Sequence, residues 1–99
     1  MRDLRLAVKR EYFEAIERGE KLEEYREAKY FWKNRLLHLP SILPKKFDTV
    51  TITLGYPKAC DTDKILKFKY KGFKIKEITH KHFGKMPILV FAIDLSERI

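Results

Sequence analysis

The sequence predicts a small α+β fold with two short helices near the N-terminus and mainly antiparallel strands that form a curled sheet or a small barrel. Two observations support this prediction. Apolar residues recur with helical spacing in two segments of the first half, whereas the second half alternates apolar and polar residues as strands do. The chain has 99 residues, and a chain of that length closes one hydrophobic core, so we expect a single domain over residues 1–99.

The first half of the chain predicts two strands and two helices in alternation. Leucine or valine occupies every second position over residues 4–8, which predicts a half-buried strand. Apolar side chains at i, i+3 and i+4 predict a helix over residues 10–18, and Gly19 follows as its C-cap. Residues 21–27 are predicted to be extended. A second helical pattern covers residues 29–39.

The second half begins with a loop, because Pro40 is expected to end the second helix. The four predicted strands cover residues 48–56, 66–70, 73–76 and 88–95. Gly72 is expected to join the second and third of these strands as a hairpin with an apolar inner face and a lysine-lined outer face. The last strand is a near-continuous apolar run, so we expect it in the centre of a sheet.

The charge of the chain is strongly positive. Its 22 lysines and arginines and 14 acidic residues give a net charge of +8. Such an excess attracts polyanions, of which nucleic acid is the commonest, although a well-solvated basic protein has the same composition. Six lysines line the predicted hairpin: Lys64, Lys67, Lys69, Lys71, Lys74 and Lys76. They suit phosphate contacts or a solvated sheet face, and we expect the solvated face.

The composition argues against disulfides, membrane spans and metal sites. Cys60 is the only cysteine, so no intrachain disulfide forms, which fits a reducing compartment. No apolar run is long enough to span a bilayer, and the first residues lack the apolar stretch of a signal peptide. We therefore expect a cytoplasmic protein with no membrane partner. His80 and His82 lack a third ligand at metal-site spacing, so we predict no metal and no cofactor, and leave open a role for histidine in proton transfer.

The segment from Gly19 to Arg26 places three ionisable side chains around one turn and one strand. Glu24 and Arg26 share a face of an ideal strand because side chains alternate. Lys21 would point the other way, and it joins them only from the turn after Gly19 or through a bulge. The plain alternatives are a surface ion pair, a solvated lysine and a glycine that only caps the helix.

The spacing of this segment resembles the ASCH domain family, whose signature G-x-K-x-x-E-x-R follows the first helix. Gly19, Lys21, Glu24 and Arg26 fill every fixed position. Further similarity, to a compact subgroup common in phage and prophage genomes, covers nearly the whole chain. It lies in residues 9–16, 24–26, 35–36, 55–57 and 78–84, and in Trp32.

The resemblance implies a PUA-like, mainly antiparallel β-barrel with a cleft beside the first helix that binds RNA or a modified nucleoside. In that interpretation Lys21 and Arg26 contact phosphate or a carbonyl, Glu24 orients the base or a water, and neighbouring tyrosines stack on a base. The residues assigned to the ligand are Lys21, Glu24, Tyr25, Arg26, Arg35 and Tyr56. Trp32 is expected in the core, since it lies on the apolar side of its predicted helix.

Two other functions stay open, so the sequence leaves undecided whether the protein is an enzyme. Some ASCH relatives are enzymes: one branch removes an N-acyl group from a modified cytidine, and another member is described as a ribonuclease. A hydrolase of either kind would use Lys21 and Glu24 as its working pair. The amidohydrolase branch has a threonine where this chain has Glu24, which argues against a hydroxyl-assisted mechanism. The last alternative is a protein-interaction module.

Overall fold

The computed structural model of the chain describes residues 2–79 and 84–99. Within these residues the chain forms an α+β structure with two helices and six strands, which confirms the predicted class. In chain order the elements are β1 (Asp3–Val8), α1 (Arg10–Glu17), β2 (Glu23–Glu27), α2 (Tyr30–Leu36), β3 (Thr49–Leu54), β4 (Ile65–Lys69), β5 (Phe73–Ile78) and β6 (Ile88–Asp94). A single 3₁₀ turn, Thr62–Lys64, precedes β4.

The strands form two three-stranded sheets. The first has the order β1-β3-β4, with β1 parallel to β3 and β4 antiparallel to it. The second has the order β2-β6-β5 and is antiparallel throughout. The central position of β6 confirms the prediction from its apolar run, because a strand with neighbours on both edges and a buried face has little contact with water.

The predicted hairpin between β4 and β5 is wrong. β4 pairs with β3, and β5 pairs with β6 in the other sheet. The backbone N–H of Tyr70 donates to Asp48, whereas the carbonyl of Gly72 accepts from Asp94, so the chain crosses between the sheets at this turn. Ile75 is exposed and does not lie on a shared inner face. Pairing with distant strands overrides the local alternation that predicted the hairpin.

The second helix is shorter than predicted, because α2 ends at Leu36 and not at residue 39. Leu37 is already extended and forms an isolated β-bridge with Pro44. The N–H of Lys45 also donates to the carbonyl of Leu36 at 2.8 Å. The returning chain therefore takes the backbone partners that a longer helix would need, and Pro40 lies beyond the point where the helix ends.

One hydrophobic core joins both sheets and both helices. Leu6 and Ile52 face each other across β1 and β3, and they belong to the same buried cluster as Phe91 of β6, Ile16 of α1 and Leu36 of α2. This shared core fixes the position of α1 against the first sheet. It therefore also fixes the place where the chain leaves α1 and enters β2.

The residues after β6 connect the two sheets along a second route. The N–H of Lys69 donates to Glu97, and the N–H of Ile99 donates to Lys67. Phe68 and Arg98 form an isolated antiparallel bridge. The chain that leaves the second sheet thus runs along the free edge of β4 in the first sheet. None of the helices in residues 2–79 and 84–99 is long and apolar enough to cross a membrane.

Candidate functional site

The turn between α1 and β2 places Lys21 beside the strand. Gly19 has a φ of +76°, a left-handed conformation that costs glycine little and other residues more. The N–H groups of Glu20 and Lys21 both donate to the carbonyl of Ala15, at 2.9 and 3.1 Å. Strand β2 starts only at Glu23, so the alternation of side chains along the strand does not apply to Lys21. Lys21 approaches Glu24 from the turn.

Three charged side chains meet at this point, and we call Lys21, Glu24 and Arg26 the motif cluster. The Glu24 side chain is only 6% exposed, and its Oε2 lies 3.0 Å from Arg26 Nη1. Its Oε1 lies 3.6 Å from Lys21 Nζ, a distance that leaves this oxygen able to accept a hydrogen bond from a ligand. A buried carboxylate needs such partners, because an unpaired buried charge is costly.

The motif cluster lies in the wall of a cavity of about 290 Å³. The cavity lies where the two sheets approach each other, since Arg26 of β2 donates from Nη2 to the carbonyl of Ala7 in β1 at 2.8 Å. The parallel pairing of β1 with β3 brings the end of β3 to the same place, and the N–H of Gly55 donates to the carbonyl of Val8. The complete lining is Ala7, Val8, Lys9, Tyr12, Lys21, Glu24, Tyr25, Arg26, Gly55 and Tyr56.

Tyrosine rings hold the Lys21 ammonium within the cavity. Lys21 Nζ lies 4.4 Å from the ring centroid of Tyr25 and 5.4 Å from that of Tyr12, distances at which a cation is attracted to an aromatic face. The Tyr25 hydroxyl donates to Glu23 Oε1 at 3.1 Å, and Lys76 Nζ donates to both oxygens of the same carboxylate. The Glu23–Lys76 pair therefore fixes the ring against which Lys21 rests.

The ionisation of these neighbours follows from their contacts. Burial, and then the Glu23 carboxylate, raise the pKa of Tyr25 above its usual value. The hydrogen bond from Lys76 is the main cause that lowers the pKa of Glu23. At neutral pH Tyr25 is therefore a neutral hydroxyl that donates to a carboxylate.

Trp32 connects the cavity to α2. The guanidinium carbon of Arg26 lies 5.2 Å from the Trp32 ring centroid, and that of Arg35 lies 5.8 Å from it. Trp32 is half-buried and packs against the core without being one of its buried members, so its predicted core position is confirmed in part. Arg26 Nε is buried and has no hydrogen-bond partner among the described residues.

Five of the six residues that the sequence assigned to a ligand line the cavity: Lys21, Glu24, Tyr25, Arg26 and Tyr56. Tyr56 is 96% exposed and lies at the rim. Arg35 lies outside the lining, and its guanidinium is near the Trp32 ring that the lining residue Arg26 also contacts. Sequence reasoning missed the remaining lining residues, Ala7, Val8, Lys9, Tyr12 and Gly55. The parallel pairing of β1 with β3 brings Ala7, Val8 and Gly55 together, whereas Tyr12 belongs to α1.

Neither Cys60 nor any lysine of the predicted lysine face is among the residues that line the cavity. Cys60 is exposed, and the predicted lysine face is divided between β4 in one sheet and β5 in the other. Lys76 of that face is bound to Glu23. His80 and His82 lie outside the described residues. Within residues 2–79 and 84–99 no three His, Cys, Asp or Glu side chains are grouped so that they could hold a metal ion.

Fold and site together define a small, basic α+β protein with a charged, tyrosine-walled cavity at the meeting point of its two sheets. We find no match to the chain among protein-family models, curated proteins or solved structures. The function therefore has to be argued from the cavity itself.

Proposed function

We propose that the cavity binds one nucleoside unit, either within RNA or as a free modified nucleoside. The observation that carries this proposal is the motif cluster: a buried carboxylate whose Oε1 lies 3.6 Å from a lysine ammonium, beside tyrosine rings in the wall of one cavity. This set offers an acceptor, a cation and a stacking surface within one cavity, which are the groups that recognise an unpaired base. The volume of about 290 Å³ is near the lower end for small-molecule sites, which suits one nucleoside unit.

Each residue of the motif cluster, and Tyr56 at the rim, has a distinct role in this proposal. Glu24 Oε1 accepts a hydrogen bond from an amino or imino group of the base. Lys21 Nζ donates to a carbonyl or a phosphate oxygen. Arg26 already donates to Glu24 and to the carbonyl of Ala7, so its role is to hold the carboxylate in place. Tyr56 is exposed at the rim, where its ring is free to stack on the base or its neighbour.

We also propose that the chain is of the ASCH type and that its two sheets are parts of a PUA-like barrel. Three features support this second proposal. The motif lysine, glutamate and arginine surround one cavity, both sheets share one core, and residues 97–99 run along β4 and so connect the sheets. The Arg26 bond to Ala7 connects the sheets on the side of the cavity.

The proposal is tested by binding measurements with a fluorescently labelled single-stranded RNA and with cytidine and N-acylated cytidine. We expect Lys21→Ala to weaken binding of the preferred ligand about tenfold or more, because a charge-assisted hydrogen bond is lost. Lys67→Ala is the matched control, since it removes the same charge from an exposed position on β4. Circular dichroism verifies that both variants are folded.

The expected pattern is wild-type binding that weakens as salt rises, a loss in Lys21→Ala, and near-normal binding in Lys67→Ala. Equal affinity in Lys21→Ala and wild type would overturn the proposal. So would the absence of binding to every one of these ligands. An equal loss in both variants would show that net charge, and not the cavity, attracts the ligand.

A hydrolase is the second candidate, and the 3.6 Å approach of Lys21 Nζ to Glu24 Oε1 favours it. In an N-acylated cytidine, Glu24 would take a proton from water as the water oxygen bonds to the acyl carbon, and Lys21 would stabilise the oxyanion. The C–N bond would then break as the proton passes to the leaving amine. Release of cytidine and the carboxylic acid from N-acylated cytidine, lost in Glu24→Gln, is the result that this candidate requires. Cleavage of the single-stranded RNA, followed on a gel, tests the ribonuclease alternative.

A further inference from the structure

A stretch of the chain beside the cavity carries no acidic residue. Residues 29–47, which we call the acid-free segment, include α2 and the loop that follows it. The segment holds five cations: Lys29, Lys33, Arg35, Lys45 and Lys46. It therefore contributes +5 to a net charge of +8, so most of the charge excess of the protein lies in one fifth of its length.

The acid-free segment also exposes rings and aliphatic side chains. Tyr30 and Phe31, at the start of α2, are 75% and 60% exposed, and Ile42 and Leu43 are exposed in the loop. The Phe31 ring packs edge-on against Trp32, with 5.1 Å between centroids. Exposed rings among lysines are the usual surface for unpaired bases and their phosphates.

Contacts through Trp32 make this surface continuous with the cavity. Arg26 lines the cavity and lies over the Trp32 ring, while Arg35 of the acid-free segment lies near the same ring. A strand that leaves the cavity past Arg26 thus meets cations and rings at once.

A second surface beside the motif contains carboxylates, unlike the acid-free segment. A shallow groove there shares Lys21 and Tyr25 with the cavity and also contains Lys76. The groove is lined by three acidic residues, Glu20, Glu23 and Asp94, and by only these two lysines. The cations on this side already face carboxylates, since Arg18 pairs with Glu20 and Lys76 pairs with Glu23. The groove therefore offers phosphates less unpaired positive charge than the acid-free segment does.

From these observations we infer that the ligand is a single strand of RNA several nucleotides long, which leaves the cavity across the acid-free segment and not through the acidic groove. This inference rests on the proposed function and narrows its ligand from a nucleoside unit to a strand. The phosphates contact Lys33, Lys45 and Lys46, and the base next to the cavity stacks on Tyr30 or Phe31. Lys29 is partly neutralised, since it pairs with Glu27.

The test compares an RNA of about eight nucleotides, within the range of known single-strand sites, with the nucleosides used above. The test variant carries Lys33→Gln, Lys45→Gln and Lys46→Gln. The matched control carries Lys64→Gln, Lys67→Gln and Lys74→Gln, which lie on or beside β4 and β5. Both variants change the net charge equally, so a difference between them reports position and not overall charge.

We expect wild type to bind the RNA at least tenfold more tightly than any nucleoside. The test variant should lose about tenfold or more in RNA affinity and keep its nucleoside affinity. Each phosphate contact on a single strand contributes about −0.7 to the slope of log affinity against log salt. Three lost contacts should therefore reduce the steepness by about 2, and the control variant should keep the wild-type slope.

Different outcomes separate this inference from the proposed function. Nucleoside binding with no gain from the longer RNA overturns the inference and leaves the proposed function standing. Equal losses in the two triple variants overturn it as well. Absence of binding to RNA and nucleosides alike overturns the proposed function. Wild-type binding to vesicles of anionic phospholipid, lost in the test variant and not matched by RNA binding, would assign the acid-free segment to a membrane surface instead.

Discussion

Replacement of Glu24 by glutamine tests how far the motif cluster stabilises the fold. The substitution keeps the shape of the side chain and removes the charge that lies 3.0 Å from Arg26 and 3.6 Å from Lys21. At an effective dielectric constant of about 20, each contact has a Coulomb energy of about 5 kcal/mol, much of which is offset by the desolvation of the charges. Breaking a buried ion pair costs about 3–5 kcal/mol in measured cases, and we expect a loss of about 3 kcal/mol.

The consequence should be visible in thermal unfolding. A loss of about 3 kcal/mol is a large part of the roughly 5–15 kcal/mol that stabilises a domain of this size. It corresponds to a fall in Tm of about 12 °C or more, at about 4 °C or more per kcal/mol. The fall should be smaller when inorganic phosphate is added, because an anion that binds between the two cations replaces the missing charge.

Glu97→Gln is the matched control for this measurement. Glu97 lies 3.9 Å from Lys69, and both side chains are more than half exposed, so the same substitution there should change stability by about 1 kcal/mol or less. Differential scanning calorimetry of the three proteins gives the comparison. A Tm for Glu24→Gln that stays as close to wild type as the control does would refute the view that the cluster is a coupled, buried charge site.

Three further predictions concern the turn, the supporting ion pair and the core. Gly19→Ala should destabilise the fold by about 1–2 kcal/mol in urea unfolding, because φ at this position is +76° and alanine adopts that left-handed conformation at a cost. An added Cβ would meet no atom within 4 Å, so steric overlap adds nothing to this cost. Lys76 lowers the folded-state pKa of Glu23, so the stability that the Glu23 carboxylate contributes is present at neutral pH and is lost as pH falls through that pKa. Glu23→Gln should therefore be less stable than wild type at pH 7 and equal to it in strong acid. Equal stability at both pH values would contradict a stabilising Glu23–Lys76 pair. Leu36→Ala should cost about 2–5 kcal/mol by the same unfolding measurement, since Leu36 of α2 is fully buried in the core that both sheets share.

Local patterns predicted most elements, and particular residues show why. Threonine alternates with valine and isoleucine in β3, which gives a strand whatever it pairs with. Gly19 ends α1 because the left-handed turn needs no partner outside the segment. The failures come where distant chain decides the outcome: β4 pairs with β3 and not with β5, and the bridge between Leu37 and Pro44 shortens α2.

The sequence by itself determined the element types, the positive charge and the pairing of Glu24 with Arg26, because side-chain alternation on a strand is a local property. It also limited the approach of Lys21 to two routes, the turn after Gly19 or a bulge in the strand. Only the tertiary structure decided that Glu24 is buried, that β1 and the end of β3 complete the cavity, and that Arg35 lies outside its lining. The physical reason is that a cavity is formed by surfaces from distant segments. Their approach depends on strand pairing and core packing over the whole chain.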